Sequence, residues 1–150
     1  MLRQYLVGAV ASVCCIAIHA LVMVSVINVT RIADELVTAY QTFRLVAVMI
    51  AAVTVLMIAH LAEVLVWSLT YAIFDVAPDG ADIVYFAFVN YTTLGYGDVT
   101  PVKRWNFLGP MTAMNGVLLF GWSTAVIFEV LRMTLLAGDE GDLQKWEWPK

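Results

Sequence analysis

Charge is the first thing this sequence has little of. Asp, Glu, Lys and Arg make up 13% of its 150 residues, where an ordinary soluble domain has about a quarter. With 62% apolar residues the composition is that of a membrane protein. The lipid bilayer is therefore the expected surrounding, and nucleic acid is not an expected partner. The net charge of −4 adds little, because the charges gather in loops and tail. Cysteine is nearly absent. Cys14 and Cys15 are adjacent within an apolar segment, so they cannot form a disulfide framework and read as packing residues. There is no nucleotide-binding loop, no nucleophile–base constellation and no metal-ligand motif. Neither an enzyme, nor a cofactor, nor a small-molecule substrate is expected. No internal repeat and no low-complexity tract appears, and the length allows one small domain.

What the chain does have is long apolar runs. Residues 5–29 carry no formal charge and suffice to cross a bilayer core of about 30 Å. A signal peptide is the rival reading, since Arg3 precedes the run. The run exceeds a usual h-region, however, and no small-x-small cleavage site ends it. Gly8, Ser12, Cys15 and His19 share one face, which should pack on protein. In residues 30–44, Ile32, Leu36, Tyr40 and Phe43 recur at helical spacing. This fits an amphipathic interfacial helix or a plain polar connector. Residues 45–74 read as a second span, with Trp67 and Tyr71 placed in an aromatic belt near its far end. Pro78, Asp79 and Gly80 signal a turn. Residues 81–92 are apolar but too short to span. Residues 106–136 read as a third span, followed by a short polar tail without heptads.

Between the short apolar segment and the third span lies Asn90-Tyr91-Thr92-Thr93-Leu94-Gly95-Tyr96-Gly97-Asp98. Gly95 and Gly97 tolerate positive φ, which lets successive carbonyls of an extended backbone point the same way. Several such strands about one axis would stack rings of carbonyl oxygens able to replace the water around potassium. The stretch resembles the Thr-x-Gly-Tyr-Gly-Asp signature of tetrameric potassium channels, and each motif position matches. The resemblance covers residues 81–132.

It implies an all-α integral membrane protein with three transmembrane helices plus a re-entrant pore helix and filter loop, assembled as a homotetramer. Residues 1–44 would be an N-terminal helix and linker, 45–137 the pore domain and 138–150 a cytoplasmic tail. It also implies that the carbonyls of Thr93, Leu94, Gly95 and Tyr96, with the Thr93 hydroxyl, bind permeant K+. Gly97 would form the outer mouth. Asp98 would brace the filter, with Thr92 and Tyr85 in support. Three positions depart from the pattern of relatives. Tyr85 and Phe86 stand where relatives carry paired tryptophans, and Phe86 has no donor for the Tyr96 hydroxyl. Val89 stands where some relatives hold a buried glutamate. A chain with one pore segment is unlike the related transporters, which have four. No arginine-rich helix is present, so steep voltage gating is not expected.

An outward-facing filter places the N-terminus outside and the C-terminus in the cytoplasm of a cell-membrane protein. Arg31, Arg44, Arg132, Lys145 and Lys150 then fall inside; Arg3, Lys103 and Arg104 fall outside. Asp75, Asp79 and Asp82 would concentrate cations at the mouth. Val117, Phe120, Thr124 and Phe128 would line the cavity, with Phe128 a hydrophobic constriction. Gly116 and Gly121 are hinge glycines or close-packing ones. Glu129 is a proton-controlled gate or the partner of Arg132. His19 and His60 each lie 14 residues from an outer helix end, about 21 Å at helical rise. With Glu63 they form a structural polar cluster, a pH sensor or, on looser grounds, a metal site. The function expected is passive, potassium-selective conduction. The alternatives are a weakly selective cation channel and a non-conducting channel-associated subunit.

Overall fold

The computed structural model describes the backbone of residues 1–36 and 41–143 and the side chains of 1–28 and 42–136. It is all-helical over these residues. Helix α1 runs Leu2–Leu36, α2 Gln41–Ile73, α3 Ile83–Tyr91 and α4 Leu108–Leu143, and a 3₁₀ turn at Lys103–Trp105 precedes α4. Three stretches are long and apolar enough to cross a membrane: Leu2–Asn28, Thr42–Ile73 and Lys103–Leu136. Their apolar residues lie all round each helix rather than in one stripe, the pattern of helices solvated by lipid on one side and protein on the other. At nine residues α3 is about 13 Å long and cannot span.

Several boundaries differ from the sequence expectations. No separate interfacial helix starts at residue 30, because α1 continues to Leu36 and α2 starts at Gln41. The amphipathic face proposed there falls on side chains outside the described residues, Phe43 excepted. Helix α4 runs on to Leu143, into the expected tail. Once a helix is nucleated each added residue gains a hydrogen bond, so glycines near its end need not stop it.

Helix α1 packs on α2 and α4, and α3 is held between α2 and α4. At Gly8 helix α1 lies close against α4: a Cβ there would fall 2.5 Å from the Met111 thioether, the movable end of a flexible side chain. One apolar cluster surrounds α3, with Trp67, Tyr71, Phe86, Trp105 and Leu108 at its centre. A second lies further along the helices, between Met23, Val26, Ala52, Val126 and Val130. Trp67 and Tyr71 are both fully buried, which corrects the aromatic-belt expectation. They continue the spacing of His60 and Glu63 along α2, so they occupy its protein-facing side. Each polar end finds a partner on α4, as buried Trp and Tyr usually do. Trp67 Nε1 donates to Asn115 Oδ1 at 3.0 Å, and the Tyr71 hydroxyl lies 2.7 Å from Thr112 Oγ1.

Candidate functional site

Helix α3 starts on Asp82. Its carboxylate accepts the Val84 and Tyr85 amides at 3.0 and 3.1 Å, filling two of the orphan donors of a helix start. Asp82 is thus engaged as a cap, alongside its expected place among the outer acids. Asp75 lies 3.9 Å from Arg104 in an exposed pair. The far end of α3 leads into residues 93–98. The Thr93 amide donates to the Asn90 carbonyl at 3.1 Å and the Leu94 amide to the Val89 carbonyl at 3.0 Å. Thr92 Oγ1 donates back to the Phe88 carbonyl at 2.8 Å.

Beyond that anchorage the backbone takes positive φ at alternate residues, +59° at Thr93, +57° at Gly95 and +80° at Gly97. The two glycines accept this without steric cost. Thr93 does not: a β-branched residue there costs of order 1–3 kcal/mol and persists only where its surroundings hold it. Sequence reasoning assigned the left-handed conformation to the glycines alone. All six residues from Thr93 to Asp98 are exposed on the single chain. The Tyr85 hydroxyl donates to Asp98 Oδ2 at 2.9 Å, tying α3 to the far end of the loop. That bond pushes the Tyr85 phenol above its ordinary range, because the carboxylate stabilises the protonated form. Phe86 turns the other way. It is buried, its ring 5.1 Å from Tyr71.

Behind the loop, Asn90 Nδ2 donates to the Tyr71 hydroxyl at 3.2 Å. Tyr71 passes its own hydrogen to Thr112, whose Oγ1 donates to the Leu108 carbonyl at 2.8 Å. This chain locks α3, α2 and α4 together. Gly116 is part of the same seam. A Cβ there would run into the Tyr91 carbonyl, so its place is close packing and not a free hinge. Gly121 has open space around it.

Below the end of α3 lies a buried polar ring. His19, His60 and Glu63 meet, although they come from two helices. His19 Nδ1 lies 2.7 Å from Glu63 Oε1, and His60 Nδ1 lies 3.0 Å from Oε2. Two members were not foreseen. Ser123 of α4 sits 2.9 Å from His60 Nε2 and 3.2 Å from His19 Nε2. Tyr91, the last residue of α3, donates its hydroxyl to Glu63 Oε2 in a short bond. The donor atoms of the three expected residues fall within 4.8 Å of one another. They face each other and Ser123 at hydrogen-bonding distance, which is a bonded network rather than a coordination shell. Counting along the spans could not have found Tyr91 and Ser123, because each becomes a partner of the histidines only once α3 and α4 are placed.

On α4, Val117, Thr124 and Phe128 lie exposed along one face. Phe120 is at its edge, with its ring 4.4 Å from His60 and 5.5 Å from Tyr91. It therefore packs on the polar ring as well as facing outward. Glu129 is held by Arg132 through two bonds, at 2.8 and 2.6 Å.

Three membrane-length apolar helices, with a short helix held between two of them, define a multi-pass membrane protein. Residues 59–133, half of the chain, match the ion channel family model, and the chain belongs to that family. No curated protein and no solved structure matches it.

Proposed function

We propose that the chain is one subunit of a potassium-selective channel, in which four copies of residues 93–97 surround a common axis. The observation that carries this reading is the loop itself. A complete Thr-Leu-Gly-Tyr-Gly-Asp stretch is fastened at both ends, by Asn90 and Val89 at its base and by Tyr85 at Asp98, yet exposed between. Its alternating positive φ suits carbonyls that turn toward one side. Thr93, Leu94, Gly95 and Tyr96 would present those carbonyls to a dehydrated K+. The α3 C-terminus, with its partial negative charge, would face the inner end of the ion path. In this assembly α3 is a re-entrant pore helix, and Val117, Thr124 and Phe128 face the cavity. The filter opens outward, with the N-terminus outside and the C-terminus cytoplasmic. Residues 45–137 are the pore domain.

A weakly selective cation channel is the second reading, and Phe86 favours it. Its ring is turned to Tyr71, so it gives the Tyr96 hydroxyl no support. Cation flux through purified protein in liposomes tests both. Potassium flux far above sodium flux, abolished by Gly97→Ala, is the expected result. Equal fluxes would establish the weakly selective pore. No flux under any condition would leave a non-conducting subunit.

A further inference from the structure

The polar ring is closed by four hydrogen bonds: His19–Glu63, Glu63–His60, His60–Ser123 and Ser123–His19. Each bond needs one hydrogen. A neutral imidazole carries one, a serine hydroxyl carries one and a carboxylate carries none. Two histidines and Ser123 therefore supply three hydrogens for four bonds. We infer that the ring is a binding site for one further proton, and that this proton braces the end of α3. With it, each of the four bonds has its hydrogen and the carboxylate is matched by one imidazolium. Without it, one bond fails and a fully buried Glu63 charge has no counter-charge. With a second proton, both Nε2 atoms donate to Ser123, its own hydrogen loses its acceptor and the ring becomes cationic.

The position of the proton follows from Tyr91. Its hydroxyl gives Glu63 a third donor beside the two histidines, which favours carboxylate and places the proton on an imidazole. Both Nδ1 atoms face acceptors, because the Tyr91 hydrogen is already committed to Glu63. Both Nε2 atoms face Ser123. The charge exchanges by relay: the charged ring passes its Nε2 hydrogen to Ser123 Oγ as Ser123 passes its own hydrogen to the other Nε2, and the hydroxyl then points at the ring left neutral.

The remaining groups around the ring leave the count unchanged. On α1, Cys15 Sγ donates to the Glu63 backbone carbonyl at 3.8 Å. On α4, the neighbouring rings of Phe120 and Trp122 do not titrate. Glu129 and Arg132, two turns further along α4, bond to each other.

Control over conduction, unlike the proton count, rests on the potassium-channel reading. Tyr91 ends α3 two residues before Thr93, and its carbonyl is wedged against Gly116. Loss of the proton unbalances Glu63 and with it the seat of Tyr91, and so alters the loop that Tyr91 anchors.

The chain has two histidines, so nitrogen-15 labelling of histidine reports on the ring alone. The measurement is a pH series of imidazole nitrogen spectra on the full chain in lipid, with K+ flux followed over the same range. The expected result is two separated protonation steps. The plateau between them should hold one imidazolium per chain, with the neutral ring as the Nδ1–H tautomer. Ser123→Ala should narrow the plateau. Flux should change at the step that empties the ring. Tyr91→Phe should keep the plateau and flatten the flux response. Two histidines titrating together in one step would overturn the proton site. A plateau accompanied by pH-independent flux would overturn the brace. A plateau in a chain that never conducts would uphold the site and count against the channel reading instead.

Discussion

The loop of residues 93–98 and the ring below it lie a few residues apart and are built on opposite plans. The ring takes its members from all four helices and satisfies them within one chain. The loop takes its members from one continuous stretch and leaves them exposed, with a strained Thr93 among them. A site finished inside the subunit contributes to that subunit's stability. On the channel reading, a loop left open by the subunit is completed by other copies. Mutations in the two regions should therefore separate, with the ring acting on folding and on the pH response of flux, and the loop on ion selectivity.

The sharpest test of that separation is Glu63→Ala. It leaves two buried imidazoles without their shared acceptor, and breaking a buried pair from one side costs about 3–5 kcal/mol. Thermal unfolding in detergent should fall sharply; an unaltered transition would remove the ring from the stability argument. Next is Gly116→Ala, where the new methyl group meets the Tyr91 carbonyl. Overpacking of this kind costs about 1–3 kcal/mol. This variant should blur the comparison by lowering both unfolding temperature and potassium flux.

Gly95→Ala should act on the loop alone. Its nearest neighbour would be 3.9 Å away, so space is available and only the positive φ is disfavoured. Selectivity for potassium over sodium should fall by at least about tenfold, since each 1.4 kcal/mol of lost ion coordination is tenfold, with little change in unfolding. Tyr85→Phe should have a smaller effect, a several-fold loss of selectivity. Its wild-type bond to Asp98 should also be pH-dependent. The bond raises the Tyr85 phenol, so its contribution is complete below the ordinary tyrosine range near pH 10 and is lost only as pH rises beyond that range. An ultraviolet titration of wild type against Tyr85→Phe measures this. Glu129→Gln should do least. Glu129 is half-buried at the surface and already paired with Arg132, so neither unfolding nor the pH dependence of flux should move. A lost pH response in that variant would transfer proton control from the ring to the C-terminal part of α4.

How far each region could be read from sequence follows from the same contrast. The loop is contiguous, so its motif is visible without any packing. His19, His60 and Glu63 could be brought to one depth by counting along two antiparallel spans. Ser123 and Tyr91 could not, since serine and tyrosine are ordinary in such helices and become partners only when α3 and α4 are docked. Trp67 and Tyr71 were misplaced because their nearness to a helix end outweighed their spacing. His60, Glu63, Trp67 and Tyr71 follow one another at three and four residues, and that row marks the buried side of α2. Helix ends were read least well. Composition changes at residue 30 and at residue 138, but the backbone continues through both changes.

Helix α1 lies outside the span matched to the ion channel family, yet it is fastened at two heights. Gly8 lets it lie directly against Met111, and three turns further on His19 joins it to Glu63 and Ser123. A rod pinned at two points can neither slide nor roll. In mechanical terms α1 is a splint along the first half of α4, from Met111 to Ser123. Beyond Ser123 the contact becomes apolar, with Val126 and Val130 of α4 packed among Met23 and Val26 of α1 and Ala52 of α2, so α1 accompanies α4 on both sides of the polar ring.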